Sequence, residues 1–343
     1  MALSTVLLAS SSSCVSMNRP FCVQRSHSVS QTTSSLMLQP QAAPKSQHQT
    51  LKSKRRFSGT VKALLQTEDK SYTKNVEVFS QEHLLDSLAH DIVQLSHKHI
   101  QEKGSFSVAL ADTSSVRFLR RLVKPAYINT IDWSKWQFFW VEEEVVVPEF
   151  QLKRRLLPNE LLHKLVYDEF LSMVARTAGT LNVVTIDYDL TATQEAAERY
   201  EKNLQNWVAR NEMARSRRGL PKFDLMLLGM EEDGRVGSLI PDHPVLGEKE
   251  RWVTHVKDGN ETRLTLTLPV INSSSNIAMV VAGSAKANAV YYSLKDEYDP
   301  QAPQRVFPAK LISPEEGDIV WYLDKAAASR IFKEELHIEK RIY

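Results

Sequence analysis

Short runs that are apolar at nearly every position recur along this chain, separated by stretches with helical spacing. Ser105-Phe106-Ser107-Val108-Ala109-Leu110, Gln137-Phe138-Phe139-Trp140-Val141, Leu181-Asn182-Val183-Val184-Thr185-Ile186, Phe223-Asp224-Leu225-Met226-Leu227-Leu228-Gly229, 276–281 and Trp321-Tyr322-Leu323 are such runs, and 264–270 is read as another. A strand that is apolar on consecutive residues has no polar face, so it must be covered on both sides. Between the runs, helical spacing is found at 80–103, around Phe118, Leu119 and Leu122, at 159–176, at about 192–212, from Lys286, and at 325–334. Ser80 is placed to cap the first helix and Gly104 to end it. This alternation predicts an α/β protein: a single domain with a mostly parallel, Rossmann-like sheet and helices on both faces. Ligands of such sheets bind beyond the carboxyl ends of the strands. The loops at 111–115, 142–148 and 229–238 are therefore where chemistry is expected.

The opening segment has a different composition. Residues 1–63 are rich in Ser and Thr and contain eight Lys or Arg, with the first acid at Glu68. A basic, Ser-rich, acid-free leader has the composition of an organelle transit peptide, and scarce early Arg favours the chloroplast. Val61-Lys62-Ala63 has the form of a plastid cleavage site, which puts the cut near Ala63 and the folded domain at 64–343. A disordered tail without an address is the competing reading. Eight of the 43 basic residues and none of the 41 acidic ones lie in 1–63, so the remainder carries −6. That balance gives no electrostatic footprint for nucleic acid. Cys14 and Cys22 are the only two cysteines and both precede the cut, so no disulfide, thiolate metal site or cysteine nucleophile is expected in the domain. No apolar run is long enough to span a membrane.

Several segments resemble one family. Phe223–Gly229 followed by Asp233-Gly234 and Ser238-Leu239-Ile240-Pro241 is similar to F-D-L-x-L-L-G-x-G-x-D-G-H-x-A-S-L-F-P of the 6-phosphogluconolactonases. The run 263–272 resembles R-I-T-L-T-x-P-x-I-N, Gly283-Ser284-Ala285-Lys286-Ala287 resembles G-x-x-K-A, and Trp321–Asp324 resembles W-x-x-D. Residues 109–119 align with L-S-G-G-S-T-P and 140–148 with W-x-D-E-R-x-V-P. More remotely, the chain is similar to glucosamine-6-phosphate deaminases. The resemblance implies a hydrolase of 6-phosphoglucono-1,5-lactone that needs no cofactor or metal. A His would act on the water or ring oxygen, and loop amides, an Arg and a Lys would hold the phosphate.

Read position by position, the chain departs from that pattern. The catalytic His falls on Arg235, and a guanidinium cannot act as a base at working pH. Loss of a general base typically slows a reaction by ~10² to 10⁴. The two loop glycines fall on Asp112 and Thr113, whose side chains obstruct an anion, while Ser114 and Ser115 remain. The Asp and Arg of D-E-R fall on Glu142 and Glu144, which exchange attraction for repulsion. The surviving anion-site groups are Ser114, Ser115, Arg263 and Lys286, although Lys286 also reads as a solvated helix-start residue. His243 and Glu142 are the candidate substitute bases, and His243 is read as structural.

Three competing motifs are weaker. Gly229 and Gly234 have P-loop spacing, but Arg235-Val236 stands where Lys-Ser/Thr is required. Glu142–Glu144 suggests a metal site, yet an acidic triplet at a strand end reads better as a solvated rim. Arg215-Ser216-Arg217-Arg218 lacks the interleaved aromatics of an RNA surface. The expected protein is a plastid lactonase-like fold with a degenerate site that binds plastid proteins or a ligand. An active lactonase and a sugar-phosphate sensor are the alternatives.

Overall fold

A computed structural model describes residues 61–65, 74–111, 113–144, 162–184, 186, 193–259, 261–295 and 305–331. The strands are β1 Val61–Leu65, β2 Lys74–Phe79, β3 Phe106–Leu110, β4 Trp136–Trp140, β5 Glu142–Glu144, β6 Asn182–Val183, β7 Leu225–Leu228, β8 Val253–Asp258, β9 Glu261–Leu266, β10 Asn276–Val281 and β11 Asp318–Asp324. The longer helices are α1 Gln81–Lys103, α2 Thr113–Leu119, α3 over 162–178, α4 Thr193–Ala209 and α5 Ala287–Leu294. Within α3, Tyr167–Leu171 forms a wide π turn.

Eight strands make the main sheet in the order β1-β2-β11-β10-β7-β3-β4-β6. All neighbours are parallel except the β1–β2 edge pair. From β3 the chain steps outward through β4 to β6, and from β7 it steps the other way through β10 to β11. Right-handed crossovers in opposite directions put the two helix sets on opposite faces. The adjacent β3 and β7 therefore form the switch point, above which such sheets hold ligands. Every residue of β3 and β7 is buried, as their continuous apolar runs require. The strand expected over 181–186 is described only at Asn182–Val183.

The second sheet was not anticipated. β5, β9 and β8 form an antiparallel three-stranded sheet. The chain enters it at Val141, whose amide donates to Leu110 O in the main sheet while its carbonyl accepts from Leu266 N. The expected parallel strand over 264–270 is corrected here. β9 ends at Leu266 and Leu268–Ile271 is a single helical turn, with Pro269 near its start. Residues 325–328 form turns, with helix described only at 329–331, rather than the helix expected from 325. The cut expected at Ala63 falls within β1.

Two motif aspartates hold the scaffold. Asp224 accepts from Ser107 N at 2.7 Å and Ser107 Oγ at 2.9 Å, which locks β7 to β3 at their amino ends. Asp324 accepts from Gly283 N and from Ala327 N, tying the loop after β10 to the end of β11. Asp224 also pairs with Lys103 at 2.7 Å and with His99 Nδ1 at 3.3 Å.

Burial holds the His99 pKa below its ordinary value, outweighing the attraction of Asp224 and Glu102, while Lys103 and Lys98 add to the depression. An unfolded chain protonates His near its unperturbed pKa of about 6.5, before the folded state does. The stability contributed by neutral His99 is thus complete above that pH and declines as pH falls through the lower folded pKa. Urea unfolding at pH 7.5, 6.5 and 5.5 should show decreasing stability, and His99→Gln should flatten that trend. An identical slope in the variant contradicts the assignment.

Candidate functional site

The period of a β-strand decides which side chains meet here. β5 and β9 pair with Glu142 opposite Thr265, Glu143 opposite Leu264 and Glu144 opposite Arg263. Glu142, Glu144 and Arg263 therefore share one face of the small sheet, and Glu143 points to the other. Arg263 Nη2 donates to Glu142 Oε2 at 3.1 Å, and Nη1 lies 3.9 Å from Glu144 Oε2. Arg263 Nε donates to Ser238 Oγ at 2.9 Å, and Ser238 Oγ in turn donates to Glu142 Oε2. Burial weighs against the Arg263 charge, but Glu142, then Glu144 and Glu143, hold its pKa above the ordinary arginine value.

The acidic triplet is therefore not the solvated rim that its composition suggests. Glu142 and Glu143 are buried, at 5 and 1% exposure. On the opposite face, Glu143 accepts from Leu162 N at 3.1 Å and from His163 N at 2.9 Å, capping the first turn of α3. His163 Nδ1 lies 3.2 Å from the same carboxylate. The triplet serves two structural ends: one carboxylate caps a helix and its neighbours clamp Arg263. Among the described residues no cluster of three or more His, Cys, Asp or Glu is arranged to hold a metal.

Above the strand ends lies a cavity of about 220 Å³ lined by Glu142, Gly229, Glu231, Arg235, Gly237 and Arg263. No imidazole is among these lining residues. Arg235 Nη2 is 2.8 Å from Asp258 Oδ2 and 3.2 Å from Asp233 Oδ2, and its amide donates to Asp233 Oδ1. Its pKa stays above the usual guanidinium value, because Asp233 and Asp258 outweigh the opposing effect of burial. Gly234 precedes it at φ +89°, and a Cβ there would fall 2.3 Å from a Phe307 ring carbon. Glycine is thus required both by conformation and by the close approach of Phe307.

The remaining candidates separate. His243 Nδ1 accepts from Val245 N at 3.1 Å, capping a short 3₁₀ turn at Pro244–Gly247, and it does not line the cavity. Lys286 is four-fifths buried and lies 3.8 Å from Glu231 Oε2, so it is not the solvated residue one of its readings required. Asp112 lies outside the described residues. Thr113, Ser114 and Ser115 open α2, and their side chains lie outside the description. In the basic loop, Arg218 pairs with Glu315 at 2.7 Å and Arg217 lies 3.9 Å from Glu316. Glu231 and Asp258 were not singled out by sequence: Glu231 stands at the second glycine of the motif's G-x-G, a departure passed over there, and Asp258 lies outside every motif. Ser238 stood inside the recognised signature without a role until the Arg263 contact gave it one.

Residues 80–321 match the family described as glucosamine-6-phosphate isomerases/6-phosphogluconolactonase. The chain is 40% identical over 267 residues to 6-phosphogluconolactonase 3, chloroplastic, of Arabidopsis thaliana, covering 76% of this chain and 77% of that one. It is 38% identical over 256 residues to probable 6-phosphogluconolactonase 4, chloroplastic, of Oryza sativa subsp. indica, covering 74 and 75%. Among solved structures, 6-phosphogluconolactonase from Trypanosoma cruzi superposes with a TM-score of 0.62 at 18% identity, over 77% of this chain and 99% of that one. The motifs, the parallel sheet with its switch point and these matches agree: the chain belongs to the glucosamine-6-phosphate isomerase/6-phosphogluconolactonase family.

Proposed function

We propose that this protein is a plastid member of the family whose pocket no longer hydrolyses the phospholactone and serves instead to bind a ligand or partner proteins, without a cofactor. The observation that carries this is the internal occupation of the anion site by Glu142. Arg263 spends its donors on Glu142 and Ser238, with Glu144 beside it, where a phosphate would otherwise compete for them. Arg235, at the position of the family's His, is a permanent cation tied to Asp233 and Asp258. The plastid reading is supported by the Ser-rich, acid-free leader and by the chloroplastic relatives. We place processing near Ala63, which would trim β1 and leave β2 at the sheet edge; amino-terminal sequencing of the protein from chloroplasts reads the cut directly.

A second reading, hydrolysis of 6-phosphogluconolactone, is supported by the names of the relatives at 38 and 40% identity. In that case Glu231, a mostly exposed carboxylate on the cavity wall, joins Glu142 and His243 as a candidate base. The purified protein is expected to consume the lactone at the buffer rate. Consumption well above buffer that Glu231→Gln or His243→Ala abolishes would replace the first reading with the second.

A further inference from the structure

We propose that the cleft between α1, α2 and the end of β10 binds a small carboxylate with an apolar body. This site is separate from the cavity beside Glu142 and shares with the family's phosphate group only Lys286. Leu84 and Leu85 of α1, Phe118 of α2 and Val280 of β10 form its apolar wall, and Arg117 and Lys286 supply its charge. Its volume is about 110 Å³.

Three observations point to an anion of this kind. First, Arg117 has no acidic partner or hydrogen bond among the described residues, although it lies beside the buried Phe118. Secondly, the Lys286 side chain is four-fifths buried, and its one described acidic neighbour, the largely exposed Glu231, lies 3.8 Å away, beyond hydrogen-bond length. An ammonium on a mostly buried side chain gains from a charge-assisted bond to a carboxylate, and a guanidinium lining the same cleft offers a bidentate fork. Thirdly, apart from the two cations and Gln81, the cleft is lined by side chains that neither donate nor accept. A polyhydroxylated sugar phosphate would set hydroxyls against Leu84, Phe118 and Val280 with no partners, and that mismatch selects against it. A ring or short alkyl chain would gain from the same wall. Gln81, at the start of α1, completes the rim and can donate to the second carboxylate oxygen.

The test is calorimetric titration of the whole protein with benzoate, alongside inorganic phosphate and 6-phosphogluconate. Benzoate should bind saturably, and both phosphates should bind at least about tenfold more weakly. Arg117→Gln should weaken benzoate about tenfold or more without changing the thermal midpoint, because Arg117 is exposed on α2. Arg117→Lys should fall between the two. Absence of saturable benzoate binding, unchanged affinity in Arg117→Gln, or phosphate binding as tight as benzoate would each overturn the proposal. None of these outcomes depends on whether the protein hydrolyses the lactone.

Discussion

Replacing Glu142 with Leu is expected to lower unfolding free energy by about 3–5 kcal/mol, the usual effect of breaking one side of a buried ion pair. The carboxylate is 5% exposed and receives hydrogen bonds from both Arg263 and Ser238, so its removal leaves a guanidinium and a buried hydroxyl without their acceptor. Removing both charges should restore much of the loss, since a pair replaced by apolar residues of similar size leaves nothing uncompensated. Urea unfolding of Glu142→Leu, Arg263→Leu and the double variant would measure this as a coupling between the two sites. A single-variant loss below about 1 kcal/mol would place the pair among solvent-screened surface bridges. The idea that an internal acid fills the anion site would then fail. The same pair links stability to binding: Glu142→Gln keeps the shape and an acceptor while removing the charge, so Arg263 becomes available to an external anion.

The parts of this architecture that could be read from sequence are those governed by local rules. β3, β4, β7, β10 and β11 announce themselves as apolar runs, and Ser80 and Gly104 bound α1 as capping chemistry dictates. Gly104 adopts φ 80° and its amide donates to Ile100 O, as a terminating glycine does. The small sheet escaped because its signal is different. Arg263, Leu264, Thr265 and Leu266 alternate polar and apolar, the mark of a strand with one covered face, but the following Leu268–Val270 blurred that alternation into a longer run.

Glu142–Glu144 shows a sharper limit. Composition alone reads three adjacent acids as a wetted edge, and nothing local reveals that Arg263 lies directly opposite Glu144 in the finished register. The separation is more than a hundred residues, so the ion pair exists only after the two strands have been brought together. Glu231 and Asp258 escaped for the same reason. Each becomes a site residue through a partner reached across the fold, Lys286 in one case and Arg235 in the other. Arg235, Glu142 and Glu144 were legible as altered positions, and Arg263 as a retained one, because a family pattern names them without any geometry.

Restoring the missing imidazole alone should not restore turnover. Arg235→His is expected to consume 6-phosphogluconolactone no faster than buffer, even though a positioned base is typically worth ~10² to 10⁴ in rate. Two features of the surrounding pocket oppose it. Asp258, which now pairs with Arg235 and lies outside the D-G-H motif, would favour the charged form of an imidazole placed beside it, and a protonated imidazole is no base. Glu142 and Glu144 would still engage Arg263 and repel an incoming dianion. Adding Glu142→Gln and Glu144→Arg removes the second obstacle and reverses the charge at the clamp. The triple variant is therefore expected to exceed the single by about tenfold at low substrate, because phosphate binding then contributes, while Asp258 still holds the imidazole charged and Asp112 and Thr113 still obstruct the loop. Rates should be followed over pH 6 to 8, where the imidazole should produce a rise that the Arg235 form lacks. If Arg235→His by itself turns over lactone far above buffer, the acidic pocket is no barrier to the dianion and only the base had been lost.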